Sequence, residues 1–167
     1  MTFDLKLLSP DALPAALEKA RLYRLLNEPG EAESICRDIL DVDPGNQDAL
    51  VILLLALTDQ FEERPNPCLE QAREVLSRIR DEYSRTYHAG IVCERRAKTQ
   101  LKRGGSHAGH IAYDWFKEAM EHYEEAAAIR PPGNDDAILR WNTCARILMA
   151  HRELIPAPEE TSRQWLE

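Results

Sequence analysis

The sequence predicts an all-α fold in which seven amphipathic helices pair into antiparallel hairpins that stack in sequence order. The chain has 167 residues, of which 44% are hydrophobic, so it fits one domain with a continuous core. Alanine, leucine, glutamate and arginine are frequent and β-branched residues are sparse, a balance that favours helix over sheet. A short pattern of small and apolar residues also recurs in three of the predicted helices. We therefore expect no β-strands.

Turn residues mark the ends of the first three helices. Glu28-Pro29-Gly30 separates helix one from helix two, and Asp43-Pro44-Gly45-Asn46 ends helix two. Asn46 is the expected N-cap of helix three, because its side chain can accept a hydrogen bond from a free amide of the first turn. The predicted bounds of these helices are about Asp11 to Asn27, Glu31 to Val42 and Gln47 to Gln60.

The four later helices are predicted from apolar stripes at the i, i+3, i+4 spacing of one helix face. The fourth stripe extends from Leu69 to Tyr83, and the fifth extends from Ala89 to Leu101. The sixth helix is predicted from about Ala108 to Arg130, and the seventh ends near Glu153. The separating loops are Glu62 to Pro67, Gly104-Gly105-Ser106 and Pro131-Pro132-Gly133-Asn134.

These helices define the predicted domain organisation. Residues 1–10 form an N-terminal segment, residues 11–154 the helical repeat domain, and residues 155–167 a flexible C-terminal tail. The tail is predicted because Ile155-Pro156-Ala157-Pro158 cannot continue a helix. The tail contains Trp165 and Leu166, whose role the sequence does not indicate.

The charge of the chain argues against nucleic acid as a partner. Its formal net charge is -8 at pH 7, whereas non-specific nucleic-acid binding depends on clustered lysine and arginine. A basic stretch runs from Arg95 to Arg103, but glutamates of the sixth helix are expected to neutralise it. These glutamates are Glu118, Glu121, Glu124 and Glu125. No membrane contact is expected either, because the longest apolar run, Ala49 to Leu57, is far shorter than the about 20 residues of a spanning helix.

The cysteines point to a reducing compartment. Cys36, Cys68, Cys93 and Cys144 form no CxxC pair, and three of them fall on apolar faces of predicted helices. Cysteines placed in this way usually serve as small core residues in proteins that form no disulfides. We therefore expect a cytoplasmic protein.

An internal repeat links three of the predicted helices. In each copy an alanine is followed by apolar residues four and seven positions later, and in two copies by a proline twelve positions later. The first copy is Ala32, Cys36, Ile39 and Pro44, and the third is Ala119, Tyr123, Ala126 and Pro131. The middle copy is Ala72, Leu76 and Ile79, with Ser84 in place of the proline.

This pattern resembles the tetratricopeptide repeat family, whose helix-turn-helix unit of about 34 residues has a small residue early in helix B and a proline after it. The small residue lets helix A approach closely, and the proline turns the chain into the next unit. The resemblance covers residues 11–153 and implies a right-handed solenoid of about three repeats with a C-terminal capping helix. The matching positions are Tyr23, Ala32, Pro44, Ala72, Gly90, Ala119, Tyr123 and Pro131. A general antiparallel helical bundle is the structural alternative.

In this family the A helices line a concave groove that holds a peptide or a partner helix. The groove positions that the resemblance implies here are Leu17, Arg21, Arg24, Val51, Leu55, Tyr87, Ile91, Arg95, Leu139 and Arg146. The arginines could bind the carboxylates of a peptide as forked donors. Alternatively, the apolar members form inter-helix core and the arginines pair with Asp48, Asp59 or Glu94.

The resemblance implies a scaffold or adaptor that binds another protein and is not an enzyme, and we expect no cofactor. A chaperone-like adaptor for an apolar client segment is an alternative of the same class. A second class is a small metal-binding protein or metalloenzyme that uses the region around His107 and His110. We favour binding because the repeats fill nearly the whole chain, and we assign no catalytic or metal-ligating residue. The identity of the partner and homo-oligomerisation stay open.

Overall fold

The computed structural model describes residues 1–158 of the chain and contains seven α-helices and no β-strand in that range. A short 3-10 turn at Pro10–Ala12 leads into the first helix. The helices are α1 (Leu13–Leu25), α2 (Pro29–Val42), α3 (Gln47–Asp59), α4 (Pro65–Arg78), α5 (Glu82–Arg103), α6 (Ala108–Ala128) and α7 (Asp136–Ala150). The predicted all-α fold is confirmed for this part of the chain.

Capping and proline residues explain where several helices begin. Asn46 caps α3 as predicted, because its side-chain oxygen accepts a hydrogen bond from the Ala49 amide at 3.0 Å. Pro29 and Pro65 are the first residues of α2 and α4, a position at which the missing amide hydrogen of proline has no helical partner to lose. Helix α4 therefore begins inside the segment Glu62 to Pro67, and the prediction that this whole segment is loop is wrong.

The boundary between the fourth and fifth helices also differs from the prediction. The sequence stripe assigns Tyr83 to the fourth helix, but α4 ends at Arg78 and Tyr83 lies in the first turn of α5. Asp81 causes this break, because its carboxylate accepts a hydrogen bond from the Ser84 amide at 2.7 Å and caps a new helix. Ser84 is thus a first-turn residue of α5 and not the counterpart of a turn proline.

Successive helices pack against each other, and the contact between α5 and α6 is the most extensive. The contact between α4 and α5 is the smallest between successive helices. Helix α1 also contacts α3, and α3 contacts α5, so that alternate helices are neighbours as well. This arrangement brings side chains from α1, α3 and α5 onto a shared surface.

The buried apolar residues form two clusters. The N-terminal cluster is supplied mainly by α1 to α4 and includes Leu54 and Phe61. The C-terminal cluster is supplied mainly by α5 to α7 and includes Phe116 and Tyr123. The partly buried ring of Trp115 packs against both clusters and so joins the two halves of the core.

The small residues of the repeat pattern lie where the packing is tight. Ala32, Ala72 and Ala119 are completely buried. Gly90 is buried as well, and a Cβ atom at this position would lie 2.5 Å from the ring of Tyr123. Such contacts explain why the pattern requires small side chains at these positions. The other repeat positions are the half-buried Tyr23 and two exposed turn residues, Pro44 and Pro131.

The chain after α7 returns to the start of α6. Leu154 is buried in the C-terminal cluster, and the carbonyl oxygen of Ile155 lies 2.9 Å from Nδ1 of His110. A Cβ atom at Gly109 would lie 2.2 Å from the carbonyl oxygen of Glu153, so only glycine allows this approach. The first residue of the predicted tail is therefore held against α6, while Trp165 and Leu166 lie outside the described residues.

Within residues 1–158, none of the helices combines the length and the apolar character that a membrane crossing requires.

Replacing Ala72 by leucine is expected to destabilise the protein by about 1–3 kcal/mol, because the fully buried site has no space for three extra carbon atoms. Ala128→Leu is the matched control, since Ala128 is exposed at the end of α6 and its replacement should change stability little. Urea denaturation measures both free energies of unfolding. An equal stability of Ala72→Leu and the wild type would contradict the close packing of α4.

Candidate functional site

The candidate functional site is a row of charged side chains on α1, α3, α5 and α7, the helices that correspond to the A positions of the predicted repeats. Ion pairs connect these side chains between helices and along α5. We call this row the ionic strip, and its members are Arg24, Asp59, Glu94, Arg95, Lys98 and Arg140.

Asp59 at the end of α3 is shared by two arginines. Oδ2 of Asp59 accepts a hydrogen bond from Nε of Arg24 in α1 at 2.6 Å. Oδ1 accepts a second hydrogen bond from Nη1 of Arg95 in α5, and the same nitrogen donates to Oγ1 of Thr58 at 2.9 Å. One carboxylate thus connects three helices, at a place where all three ionic side chains are partly buried.

Glu94 of α5 is completely buried and is also shared by two bases. Its Oε1 lies in contact with Nζ of Lys98 and 3.3 Å from Nη1 of Arg140 in α7. Its Oε2 accepts a hydrogen bond from the hydroxyl of Tyr123 in α6 at 2.6 Å. Glu94 therefore ties α5 to both α6 and α7 through its two carboxylate oxygens.

The surroundings of Glu94 keep it ionised. Burial alone would raise the pKa of this carboxyl group, but hydrogen bonds from Lys98 and Tyr123 and the charges of Lys98 and Arg140 outweigh it, so the pKa is lowered. For Tyr123, burial and the neighbouring Glu94 carboxylate both raise the pKa, so its hydroxyl stays a hydrogen-bond donor. The pair is thus locked as a carboxylate acceptor and a phenol donor.

The ionic strip carries an excess of positive charge. Each of its two carboxylates contacts two basic side chains, so four cations face two anions and two positive charges remain. The chain as a whole has a formal net charge of -8. The strip is therefore a cationic surface in an acidic protein, a contrast that favours an anionic ligand.

An open cavity lies beside the strip and gives access to it. The cavity has a volume of about 270 Å³ and is lined by residues of α3 and α5 and of the loop after α3. These residues are Thr58, Asp59, Glu62, Arg95, Lys98, Thr99 and Lys102. At its rim Lys102 pairs with Glu62 at 2.6 Å, so this pair adds no net charge.

Three bases of the α5 stretch pair with acids within the protein, but these acids are not the predicted ones, and Arg96 and Arg103 form no ion pair within residues 1–158. Arg95 pairs with Asp59, Lys98 with Glu94, and Lys102 with Glu62. The expected partners, Glu118, Glu121, Glu124 and Glu125 of α6, form no ion pair with the stretch within residues 1–158. The prediction is wrong because the paired bases find nearer acids at the end of α3, in the loop after it and on α5 itself.

The predicted groove residues fall into three groups, which are the arginines of α1 and α5, the apolar residues, and the two residues of α7. Arg24 and Arg95 belong to the ionic strip, and Arg21 pairs with Asp48 at 3.3 Å on the adjoining surface. Leu139 and Arg146 are exposed on α7. The arginines of α1 and α5 thus pair with Asp48 and Asp59, as the alternative in the sequence analysis allowed.

The apolar groove positions mostly pack into the core. Leu17 and Val51 are partly buried against the N-terminal cluster, and Leu55 and Tyr87 against the C-terminal cluster. Ile91 is only 3% exposed, so its assignment to a groove surface is corrected to a core position. Tyr87 keeps a half-buried ring that stacks on Tyr83 with 5.8 Å between the ring centroids.

The histidines considered as a metal site lie at the start of α6. His107 is exposed, and His110 uses Nδ1 in its contact with the Ile155 carbonyl. Their ring centroids are 6.4 Å apart. No third ligand joins them among the described residues, because the one group of at least three ligating side chains in residues 1–158 lies elsewhere.

That group consists of Cys93 on α5 and Glu118 and His122 on α6, and the sequence analysis missed it. The signal available in the sequence is the i, i+4 spacing of Glu118 and His122, which places them on one helix face. Cys93 lies 25 positions before Glu118, and only the packing of α5 on α6 brings it near. Burial raises the pKa of Cys93 to about 12, as it does for Cys36 and Cys144, so these thiols are not nucleophiles at neutral pH.

Comparison of the chain with models of protein families, with curated proteins and with solved structures finds no match.

Proposed function

We propose that the protein is a tetratricopeptide-like binding module that holds an acidic segment of another protein along α1, α3, α5 and α7. The observation that carries this proposal is the ionic strip, which extends over these alternate helices with two positive charges in excess. An extended acidic peptide running across the helices would meet these charges in succession. The function is binding and not catalysis.

The packing of the helices supports a tetratricopeptide-like arrangement. Neighbouring helices pair, and α3 also contacts α1 and α5, as successive A helices do in a stack of hairpins. Ala32, Ala72 and Ala119 are buried at the repeat positions for a small residue. In this proposal the chain is a right-handed solenoid of about three units, with α7 as the capping helix.

The charge of the strip favours an acidic partner over the apolar client of a chaperone-like adaptor. Asp59 and Glu94 neutralise only half of the four bases, and Lys98 keeps 44% of its side-chain surface exposed. Electrostatic attraction of this kind speeds encounter with a partner of opposite charge and weakens with added salt. Four free, buried cysteines support a cytoplasmic location for this function.

Arg95→Ala combined with Arg140→Ala is expected to weaken binding of an acidic peptide by about tenfold, which corresponds to about 1.4 kcal/mol. The double variant removes the excess charge of the strip but leaves Asp59 paired with Arg24 and Glu94 paired with Lys98. The probe is a fluorescein-labelled peptide of glutamates and leucines, with a lysine-and-leucine peptide for comparison. Fluorescence anisotropy at low and high salt measures both affinities and their salt dependence.

The matched control is Arg37→Ala with Arg130→Ala, which changes the net charge equally at exposed sites outside the strip. This variant should bind the acidic peptide nearly as the wild type does. Equal losses in both variants would assign the attraction to overall charge and not to the strip. Equal binding of the acidic and basic peptides would contradict an acidic partner.

A further inference from the structure

The outer face of the α5–α6 pair brings together three side chains that can bind a metal ion. Cys93 of α5 supplies a sulfur atom, and Glu118 and His122 of α6 supply an oxygen and a nitrogen. These three ligand atoms all lie within 4.8 Å of one another. Glu118 and His122 occupy positions i and i+4, so they extend from the same face of α6 toward Cys93.

The separation of the three atoms is close to that of a tetrahedral zinc site. Bonds of about 2.0–2.3 Å to zinc place neighbouring ligand atoms roughly 3.3–3.8 Å apart. The atoms can reach these separations by rotation of side chains, because Glu118 is exposed and His122 is half-buried. Three protein ligands leave a fourth position for a water molecule.

The chemistry of the ligands selects the metal. A thiolate, an imidazole and a carboxylate together suit Zn²⁺ or Co²⁺, whereas Mg²⁺ and Ca²⁺ prefer oxygen ligands alone. As the metal–sulfur bond forms, the thiol of Cys93 releases its proton to solvent, and the ion replaces that proton. Burial of the sulfur keeps competing solvent away from this bond.

The surroundings attract a cation. An open cavity on this face is lined by Asp114, Glu118, Glu121 and Glu125, with Lys117 as the basic residue among its lining side chains. The Glu125 carboxylate lies 4.0 Å from Nδ1 of His122. A small rotation would let it accept the Nδ1 hydrogen and leave Nε2 for the metal, as carboxylates do beside many metal-bound histidines.

From this geometry we propose that Cys93, Glu118 and His122 bind one Zn²⁺ ion, with water as the fourth ligand. The ion joins α5 to α6 through Cys93 on one helix and Glu118 and His122 on the other. The site stands on other residues than the ionic strip, so it does not depend on the proposed function. It also differs from the region of His107 and His110.

The test is a titration of the reduced protein with Co²⁺, followed by displacement with Zn²⁺. One equivalent of Co²⁺ should produce visible bands of tetrahedral intensity and a near-ultraviolet charge-transfer band from thiolate to cobalt, and Zn²⁺ should abolish both. Cys93→Ser should remove the charge-transfer band. Cys144→Ser, which alters another buried cysteine on α7, should keep it.

A second variant keeps the test valid if Cys93→Ser fails to fold. Glu118→Gln with His122→Ala changes only exposed and half-buried side chains and should weaken Co²⁺ binding by more than about tenfold. His110→Ala should leave Co²⁺ binding unchanged. A wild-type titration without a charge-transfer band, a band that survives Cys93→Ser, or an unchanged Co²⁺ affinity in the double variant would overturn the proposal.

Discussion

Replacing Glu94 by alanine is expected to destabilise the protein by about 2–4 kcal/mol. Loss of one partner from a buried ion pair typically costs about 3–5 kcal/mol, because the remaining charge is left uncompensated. Here the cost is lower, since Lys98 and Arg140 keep 44% and 36% of their side-chain surfaces exposed and can turn to water. The Tyr123 hydroxyl cannot reach water, because the residue is completely buried, so the loss of its acceptor Glu94 leaves it without a hydrogen bond. Urea denaturation at pH 7 measures this loss.

A surface pair provides the control for Glu94. Glu74 pairs with Arg78 across one turn of α4 and is largely exposed, so Glu74→Ala should cost no more than about 0.5 kcal/mol. The double variant Glu94→Leu with Tyr123→Phe should be more stable than Glu94→Ala, because it leaves no buried hydroxyl unpaired. Equal costs for Glu94→Ala and Glu74→Ala would refute the structural role of the buried acid.

The contribution of Glu94 should also depend on pH. Its pKa in the folded protein is lowered from the ordinary value of 4.5, so the unfolded chain binds the proton more tightly. The stabilisation is therefore complete well above pH 4.5 and is lost as the pH falls through the lower pKa of the folded state. Glu94→Gln lacks this ionisation, and its stability deficit should shrink between pH 7 and about pH 3. A constant deficit over this range would contradict the lowered pKa.

Replacing Gly90 by alanine is expected to destabilise the protein by about 1–3 kcal/mol. Replacing glycine by alanine inside a helix normally stabilises a protein by about 1 kcal/mol, because alanine has the higher helix propensity. The sign of the measured change therefore shows whether helix propensity or close packing dominates at this position. Packing should dominate here, because the new Cβ atom would lie 2.5 Å from the ring of Tyr123. That ring is buried and its hydroxyl is bound to Glu94, so it has little freedom to move. Thermal unfolding should show a decrease of about 2–4 °C per kcal/mol.

Gly30 offers the matched control in the first turn of α2. A Cβ atom at Gly30 would have no atom within 4 Å, so Gly30→Ala should leave stability unchanged or raise it by about 0.4–1 kcal/mol. Both substitutions add a methyl group to a helix, and they differ in the atoms that this group contacts. A gain in stability for Gly90→Ala would mean that α5 and α6 pack less closely than the structure indicates.

Much of the fold could be predicted from local signals. Apart from the start of α4 and its boundary with α5, the helix ends given in the sequence analysis differ from the structure by at most three residues. Asn46 fulfils its predicted role as a cap because capping depends on residues within one turn. The break at Asp81 was missed because the apolar stripe continues to Tyr83, and periodicity alone does not register a capping aspartate.

The site was harder to predict because it depends on contacts between distant parts of the chain. Arg24 and Arg95 were singled out, but the sequence cannot show that both bind Asp59, which lies 35 and 36 positions away from them. Glu94 was expected at the surface, as a possible partner of the groove arginines, whereas its complete burial makes it the centre of a network with Tyr123 and Arg140. Such burial results from tertiary packing, and the residue pattern of a single helix does not reveal it.

Trp115 gives the protein a natural optical probe of its own cooperativity. Its ring touches both core clusters, so its fluorescence emission depends on whether the two halves of the molecule stay together. With Trp141 and Trp165 replaced by phenylalanine, Trp115 is the sole indole of the chain. A red shift that precedes the loss of helical circular dichroism would reveal a state in which the halves separate while their helices persist. If the fluorescence and circular dichroism transitions coincide, the contact between the two core clusters and the helices are lost together in one cooperative unfolding step.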